Sequence, residues 1–309
     1  VDQRQKCPYL DTINRNFLDF DFEKVCSVSL TNLNVYACLV CGKFFQGRGR
    51  NTHAYTHSVQ AFHHVWIHLG TNKIYCLPDN YEVVNTSLND IKRALKPEFT
   101  RQQLGLLDQN TTLARDVYGV SYLPGFVGLN NLKSTDFVNV VLQALAHVTP
   151  LRDFFLQPQN YHLSRSQLVH RFGEVMRKMW SKDNFKSCVS PHEFVQEVTV
   201  ASKKRFRIGQ QAECIDFLAW LLHSLHVGLG GHPRLEQAGV MDVEEEEEDE
   251  QDASGGGLKK RKKKPKKKKK KKLRPEDLLG ITPPAEGPTV IQQCFQGVVH
   301  VKTLTRKKR

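Results

Sequence analysis

Two cysteines and two histidines near the start of the chain have the types and spacing of metal ligands. Cys38 and Cys41 are separated by two residues, so both thiols project from one tight turn. Fifteen residues separate Cys41 from His57, and five residues separate His57 from His63. Two thiolates and two imidazoles form a tetrahedral ligand set that is typical of structural Zn²⁺. The spacing therefore predicts a zinc site made of these four side chains.

Other interpretations of the same residues remain open from the spacing alone. His53 lies one helical turn before His57, so it is either a competing ligand or a neighbour that supports the metal site. The thiols and imidazoles are otherwise ordinary buried core side chains. A redox-active thiol pair is disfavoured, because no strand followed by a helix surrounds Cys38 and Cys41 as in a thioredoxin-like unit.

The net charge of the 309-residue chain is concentrated in two short tracts. Lys and Arg number 45 against 32 Asp and Glu, which gives +13. Lys259–Lys272 contains 13 basic residues and Asp242–Asp252 contains nine acidic ones, whereas residues 1–86 carry 8 basic and 7 acidic residues. The charge therefore indicates a disordered insert rather than a folded nucleic-acid-binding domain. The basic run predicts a nuclear localisation signal, with non-specific RNA phosphate contact as the alternative.

Hydrophobic periodicity predicts a mainly helical second half. Apolar residues recur at helical spacing in three stretches, which are Phe137–Val148, Leu168–Trp180 and Ile215–Leu225. Ser190, followed by Pro191, predicts the start of a further helix. The alternation from Cys294 to Val301 predicts a strand. Because no apolar run reaches about 18 residues, we expect no transmembrane helix and no membrane partner.

Residues 5–85 resemble the zinc finger of the ubiquitin-specific-protease type. The resemblance is carried by the following motifs: Cys7-Pro8-Tyr9, Cys38-Leu39-Val40-Cys41-Gly42, Gln46-Gly47-Arg48, the spacing of His53, His57 and His63, and Tyr75-Cys76. Members with several zinc ions have cysteines where this chain has Ser29, Gln46 and Asp79. Their absence leaves Cys7, Cys26 and Cys76 without metal partners, so the resemblance implies one zinc ion.

The same resemblance implies a site for the C-terminal tail of ubiquitin. Finger domains that bind this tail use an arginine and a pair of aromatic side chains. Arg48 matches the arginine, but Tyr75 stands at a tryptophan position and Leu77 stands at a tyrosine position. We therefore expect weak or absent ubiquitin binding, with Arg48 and Tyr75 as the residual contacts.

The segment from Gly128 to Leu145 resembles the nucleophile box of ubiquitin-specific proteases. Asp136 occupies the position of the catalytic cysteine, and Ser134 occupies that of the asparagine that supports the oxyanion. At the start of a helix we expect Asp136 to cap backbone N–H groups, which makes it a poor nucleophile. The resemblance places the family's histidine box after Phe295-Gln296-Gly297, and none occurs before Arg309. We therefore expect no catalytic residues and no enzyme activity.

The finger segment followed by a nucleophile box with Asp136 resembles the inactive ubiquitin-specific-protease-like splicing factors of the spliceosomal tri-snRNP. This resemblance implies a nuclear, non-catalytic scaffold of pre-mRNA splicing that contacts tri-snRNP proteins. A ubiquitin-binding reader and an active deubiquitinating cysteine protease are the alternatives. The implied fold class is α+β, with a small zinc-binding α/β finger followed by an incomplete papain-like domain, mainly its helical thumb. The expected segments are a finger (1–86), a helical connector (87–122), an inactive thumb (123–231), a charged insert (232–289) and the start of the fingers or palm (290–309).

Overall fold

A six-stranded sheet forms the scaffold of the first part of the chain, as seen in a computed structural model that describes residues 2–231 and 287–297. Its strands are β1 (Gln3–Arg4), β2 (Val35–Cys38), β3 (Phe44–Gln46), β4 (Val65–His68), β5 (Ile74–Cys76) and β6 (Tyr81–Val83). They lie in the order β1-β6-β5-β4-β2-β3, with β1 parallel to β6 and the other neighbours antiparallel. Helix α1 (His53–Ala61) connects β3 to β4. The metal-ligand candidates therefore come from one edge of the sheet and from α1.

Both faces of the finger sheet are covered, because successive strand residues point to opposite faces. One face packs against the short helix α2 (Asn89–Leu95), and its core includes Val35, Ile67 and Ile74. The opposite face buries Tyr36, Phe45, Trp66 and Tyr75 on the side of α1. The sheet is thus enclosed between two apolar layers.

A bundle of helices with one large apolar core forms the second part of the chain. Its described helices are α3 (Arg101–Leu104), α4 (Asp136–Ala146), α5 (Thr149–Leu156), α6 (Gln167–Trp180), α7 (His192–Ala201), α8 (Cys214–Gly228) and α9 (Val290–Phe295). Two small sheets join the loops: β7 (Ala114–Arg115) with β8 (Ser121–Tyr122), and β9 (Gly128–Leu129) with β10 (Cys188–Val189). The mixed fold with a finger followed by a helical domain confirms the α+β expectation. None of the described helices has both the length and the apolar character needed to cross a membrane.

The periodicity located α4, α6 and α8 to within a few residues, and three local predictions need correction. α5 begins at Thr149 directly after α4, with Pro150 in its first turn, and no helix was predicted there. α7 begins at His192 without a side-chain cap, because Pro191 and not Ser190 occupies the capping position; the Ser190 hydroxyl accepts a hydrogen bond from Asn130. Val290–Phe295 is a helix, so the strand predicted from Cys294 is wrong over the part that the structure describes.

Several predictions fall on residues outside the described ranges. They are the predicted insert 232–289 up to residue 286, the basic run Lys259–Lys272, and the last part of the expected strand, 298–301. The two ends of the insert adjoin α8 and α9, which pack against each other. His226 of α8 and Thr289, which caps α9, are hydrogen-bonded at 2.8 Å in the buried interior.

Candidate metal site and degenerate nucleophile box

The turn that carries the two candidate thiolates is shaped by the end of strand β2. The backbone N–H of Gly42 donates to the Cys38 carbonyl oxygen at 2.9 Å, and the N–H of Cys38 donates to Lys43 at 2.9 Å. Gly42 has a φ of +75°, and a Cβ there would lie 2.0 Å from the Phe17 carbonyl oxygen. Only glycine fits this position, so it holds both thiols on the same side of the turn.

Helix α1 and the residue after its end supply the two imidazoles. His57 lies within α1, while Phe62 ends the helix in the left-handed conformation and His63 follows. The ring of Phe45 stacks on His57 at 4.5 Å between centroids. The indole N–H of Trp66 donates to the His63 carbonyl oxygen at 2.8 Å. Aromatic packing and one hydrogen bond therefore hold both rings in place.

The four predicted ligand atoms converge. Cys38 Sγ lies 3.5 Å from His63 Nδ1, Cys41 Sγ lies 3.5 Å from His57 Nε2, and the two ring nitrogens are 3.0 Å apart. All four atoms lie within 4.8 Å of one another. A tetrahedral zinc with bonds of about 2.0–2.3 Å separates its ligands by roughly 3.3–3.8 Å. The cluster therefore has the donors for Zn²⁺ at spacings that bracket those of a tetrahedral site, and His53 is not part of it.

The electrostatics of the thiol pair also suit a metal. The Cys38–Cys41 hydrogen bond lowers the pKa of Cys41 and, together with burial, raises the pKa of Cys38 above the usual thiol value. The pair therefore favours a thiolate at Cys41 and a protonated thiol at Cys38. A bound cation would displace that proton, because metals bind the thiolate form.

The thiols predicted to lack metal partners are buried and occupied by other contacts. Cys26 Sγ accepts backbone N–H groups from Val28 and Ser29 at 3.5 and 3.4 Å. The Ser29 hydroxyl donates to Gln46 Oε1 at 3.1 Å. Burial raises the pKa of Cys76 to about 12, so this thiol stays protonated. Ser29 and Gln46, which stand where a second metal site would need cysteines, are thus hydrogen-bonded to each other.

The two residues expected to contact a ubiquitin tail interact with each other. The Arg48 guanidinium lies 4.2 Å from the centroid of the Tyr75 ring, and its Nη1 donates to Asn80 Oδ1 at 2.6 Å. Tyr75 is buried, with 7% of its surface exposed. A ligand that needed either side chain would have to displace this packing.

The box around the degenerate nucleophile position keeps a dense set of hydrogen bonds. Asn131 Oδ1 accepts from the backbone N–H and the hydroxyl of Thr135 at 3.0 and 3.2 Å. The same hydroxyl accepts the Leu132 N–H at 2.9 Å. Asn139 donates to the Leu129 carbonyl oxygen and Gln143 to that of Val127. These side chains tie the loop before α4 to the helix itself.

Asp136 and Ser134 lie at and just before the start of α4. Asp136 is the first residue of the helix and is exposed, and its carboxylate accepts the Gln211 side-chain N–H at 3.1 Å. The expectation that Asp136 caps the helix is therefore wrong, because it lies inside the first turn, beyond the capping position. Ser134 and Lys133 have φ of +52° and +82°. The Gly209 N–H donates to the Lys133 carbonyl oxygen, which anchors this turn.

Some contacts of the site are not predictable from local sequence. Gln211 reaches Asp136 across a separation of 75 residues. A larger set of contacts joins the segment 18–24 of the finger to α6 and α7. The only sequence feature that could have indicated these contacts is the presence of charged residues in segment 18–24, which has no predicted helix or strand.

Comparisons with known proteins agree with both parts of the fold. Residues 26–88 match the family described as "Zn-finger in ubiquitin-hydrolases and other protein", and residues 127–301 match "Ubiquitin carboxyl-terminal hydrolase". The chain is 55% identical over 250 residues to ubiquitin carboxyl-terminal hydrolase 39 of Homo sapiens, covering 78% of this chain and 44% of that protein.

Two splicing proteins and one solved structure are also similar. Identity is 51% over 223 residues with the probable mRNA-splicing protein ubp10 of Schizosaccharomyces pombe, covering 72% of this chain and 44% of that protein. It is 34% over 230 residues with the pre-mRNA-splicing factor SAD1 of Saccharomyces cerevisiae, covering 72% and 49%. The crystal structure of an essential yeast splicing factor matches with a TM-score of 0.64 and 33% identity, covering 70% of this chain and 54% of that one.

The chain spans less than half the length of these curated relatives. The family matches nevertheless extend over the finger sheet, the Cys/His cluster and most of the helical domain. On this evidence the chain belongs to the ubiquitin carboxyl-terminal hydrolase family, with a zinc finger of the type found in ubiquitin hydrolases preceding its helical domain.

Proposed function

We propose that this chain is a non-catalytic scaffold of pre-mRNA splicing, which supports the assembly or stability of the spliceosomal tri-snRNP through protein–protein contacts. The similarity to the Schizosaccharomyces pombe splicing protein, over 72% of this chain, carries the proposal. The Saccharomyces cerevisiae splicing factor supports it independently, since both the sequence and a solved splicing-factor structure align.

The chemistry of the nucleophile position supports a non-catalytic role. Acyl transfer in this family requires a thiolate, and a carboxylate such as Asp136 is a poor nucleophile toward an amide carbonyl. The Asp136 carboxylate is also engaged by Gln211. The hydrogen bonds between Asn131 and Thr135 have a structural role that does not require catalysis, because they hold the loop before α4 to the helix.

The proposed metal role is structural and involves one Zn²⁺ ion held by Cys38, Cys41, His57 and His63. Four protein ligands fill a tetrahedral site and leave no open position for a substrate or a water nucleophile. The ion would link the turn after β2 to both ends of the segment that contains α1. Its contribution is to the stability of the finger.

The proposed partners are tri-snRNP proteins in the nucleus. We expect weak or no ubiquitin binding, because Arg48 and Tyr75 pack on each other. The run Lys259–Lys272 would supply nuclear targeting, or non-specific RNA contact that weakens as salt is raised. No membrane partner is proposed.

Affinity purification of the full chain from nuclear extract tests the scaffold role. The expected result is co-purification of tri-snRNP proteins together with their RNAs. The proteins should still be recovered after nuclease treatment, because the contacts are between proteins. A matched chain lacking residues 242–272, added directly to the extract, should recover the same proteins. If the recovered proteins disappear after nuclease treatment, and also disappear when residues 242–272 are deleted, the chain binds through the charged insert instead.

A fluorogenic substrate made of ubiquitin with a C-terminal coumarin tests the absence of catalysis. Neither the natural chain nor Asp136→Asn should release the fluorophore, whereas an active protease of the same family does so under the same conditions. Turnover by the natural chain that disappears in Asp136→Asn would overturn the non-catalytic proposal. Tight binding of free ubiquitin that requires its terminal glycines would favour a reader instead.

A further inference from the structure

A short segment of the finger, residues 18–24, is packed against the helical domain; we call it the strap. Leu18 and Phe20 are buried, with 2% and 4% of their surfaces exposed. The ring of Phe20 lies 6.4 Å from that of Phe185, which belongs to the helical part of the chain. Asp19 forms an ion pair with Lys186. The strap thus contributes apolar and charged contacts to both parts of the molecule.

A buried ion pair lies at the centre of the strap. Lys178 Nζ of α6 donates to Asp21 Oδ1 at 2.6 Å and to the Phe20 carbonyl oxygen at 2.8 Å. The Lys178 and Asp21 side chains are only 11% and 17% exposed. The second carboxylate oxygen of Asp21 accepts the Ser190 backbone N–H at 3.0 Å, just before α7. One carboxylate therefore connects the finger to two elements of the helical domain.

A second group of charges extends this contact along α6 and α7. Lys24 Nζ lies 2.5 Å from Glu193 Oε2, and the same oxygen lies 3.1 Å from Arg171 Nη1. Arg171 also pairs with Glu174 at 2.7 Å. Burial alone would raise the pKa of Glu174, but Lys24 and Arg171 together lower it below its usual value. Burial and the nearby Lys178 ammonium lower the pKa of Lys24, although Glu193 and Glu174 oppose this shift. The strap cation therefore stabilises the carboxylates of the helices, while its own charge is disfavoured by burial.

Substituting one residue of the buried pair would leave the other charge without its partner in the packed junction. Removing one member of a buried ion pair leaves the other uncompensated in a poorly hydrated site, and this is strongly destabilising. By contrast, Arg93 and Asp183 link the same two parts near the surface, with the arginine side chain 52% exposed. Exposed pairs of this kind contribute little. The buried pair, rather than the surface pair, distinguishes a fixed junction from a loose one.

We propose that the strap joins the zinc finger and helices α6 and α7 into one cooperative unit, so that disorder in the finger is transmitted to the helices. The finger then folds and unfolds together with helices α6 and α7 rather than as an independent module. A cleft of about 1270 Å³ has walls from both parts, with Val25 and His68 on the finger side and Glu197 and Val200 on the helical side. Its shape depends on the strap.

Hydrogen–deuterium exchange of the full chain, resolved by peptide, tests the proposal through Lys178→Met. Loss of the ammonium should accelerate exchange in α7 and also in the finger strands β2 and β4 by roughly tenfold, because both sides lose the junction. Arg93→Gln, which removes only the surface pair, should change exchange in these elements by less than about twofold. Acceleration confined to α6, with the finger strands unchanged, would overturn the proposal.

A second variant keeps the proposal testable even if Lys178→Met folds poorly. Ile67→Ala creates a cavity in the finger core, far along the sequence from the strap, at a fully buried position. In the otherwise natural chain it should also accelerate exchange in α6 and α7. With Asp21→Asn, which removes the carboxylate of the junction while keeping the size of the side chain, the effect of Ile67→Ala on the helices should shrink at least about threefold. Equal effects of Ile67→Ala with and without Asp21→Asn would show that the two parts are not coupled.

Discussion

The finger and the helical domain each contain a site built for chemistry, but they differ in what is present. In the finger, Cys38, Cys41, His57 and His63 all have the right donors, and their ligand atoms converge within 4.8 Å. In the helical domain the supporting bonds of Asn131 and Thr135 are present around Asp136, which lacks the chemistry of a thiolate. One site brings together a full set of metal donors, and under the proposed function the other keeps only its framework.

The difference follows from how each site contributes to the fold. A metal site acts through all its ligands at once, so the loss of one donor removes most of the binding energy. A nucleophile box contains residues with two separate roles. Thr135 holds the loop to α4 whether or not a reaction occurs, whereas the first residue of the helix is exposed and carries little of the packing. The framework can therefore persist when the reactive group is replaced.

The largest expected effect comes from breaking the metal site. His63→Ala should abolish stoichiometric zinc binding and unfold the finger, because a structural zinc contributes about 10 kcal/mol or more to folding in small fingers. His53→Ala is the matched control, since it lies on the same helix but outside the ligand group, and should retain the ion. Zinc per chain by atomic emission and far-UV circular dichroism check both variants. Full zinc occupancy in His63→Ala would contradict the ligand assignment.

Substitutions at two neighbouring residues of the nucleophile box, Thr135 and Asp136, are expected to change the free energy of unfolding by smaller amounts. Thr135→Val keeps the shape of a fully buried side chain but removes its hydrogen bonds to Asn131 and Leu132, at a cost of about 1–3 kcal/mol. Asp136→Asn changes only an exposed side chain and should stay within about 0.5 kcal/mol. Urea denaturation followed by tryptophan fluorescence measures both. A larger loss in Asp136→Asn than in Thr135→Val would reverse the assignment of framework and reactive position.

The outcome of sequence-based prediction differs between the same two regions. The clustering of Cys38, Cys41, His57 and His63 was predictable because Cys-x2-Cys and two nearby histidines leave few other uses for these residues. Helices α4, α6 and α8 were predictable because their apolar residues repeat with the helical period over more than ten positions. Over the residues that the structure describes, the strand expected from Cys294 was wrong at its start, because Cys294 and Phe295 belong to a short helix that packs against α5 and α8.

Contacts between distant segments left no local pattern to find. Asp21 and Lys178 are 157 residues apart, and each has the sequence context of an ordinary surface charge. Gln211 likewise reaches Asp136 only through the path of the loop before α8. The expectation that Asp136 caps α4 failed by a single residue, because the helix begins at Asp136 itself. Periodicity locates elements but not the pairs that join them.

The smallest expected effect sharpens the comparison within the finger itself, where Arg48 is either a packing residue or a ligand contact. Because its guanidinium stacks on Tyr75 and donates to Asn80, Arg48→Ala should lower the free energy of unfolding by about 0.5–1 kcal/mol. Arg50→Ala, at an exposed neighbouring position, should change it by less than that. Chemical denaturation of the zinc-loaded chain measures both, and a parallel titration with free ubiquitin separates the two roles. A packing arginine changes stability and leaves the weak ubiquitin signal as it was. If Arg48→Ala instead leaves stability untouched and abolishes a measurable ubiquitin affinity, the finger has kept a second working site, and the contrast with the helical domain becomes greater.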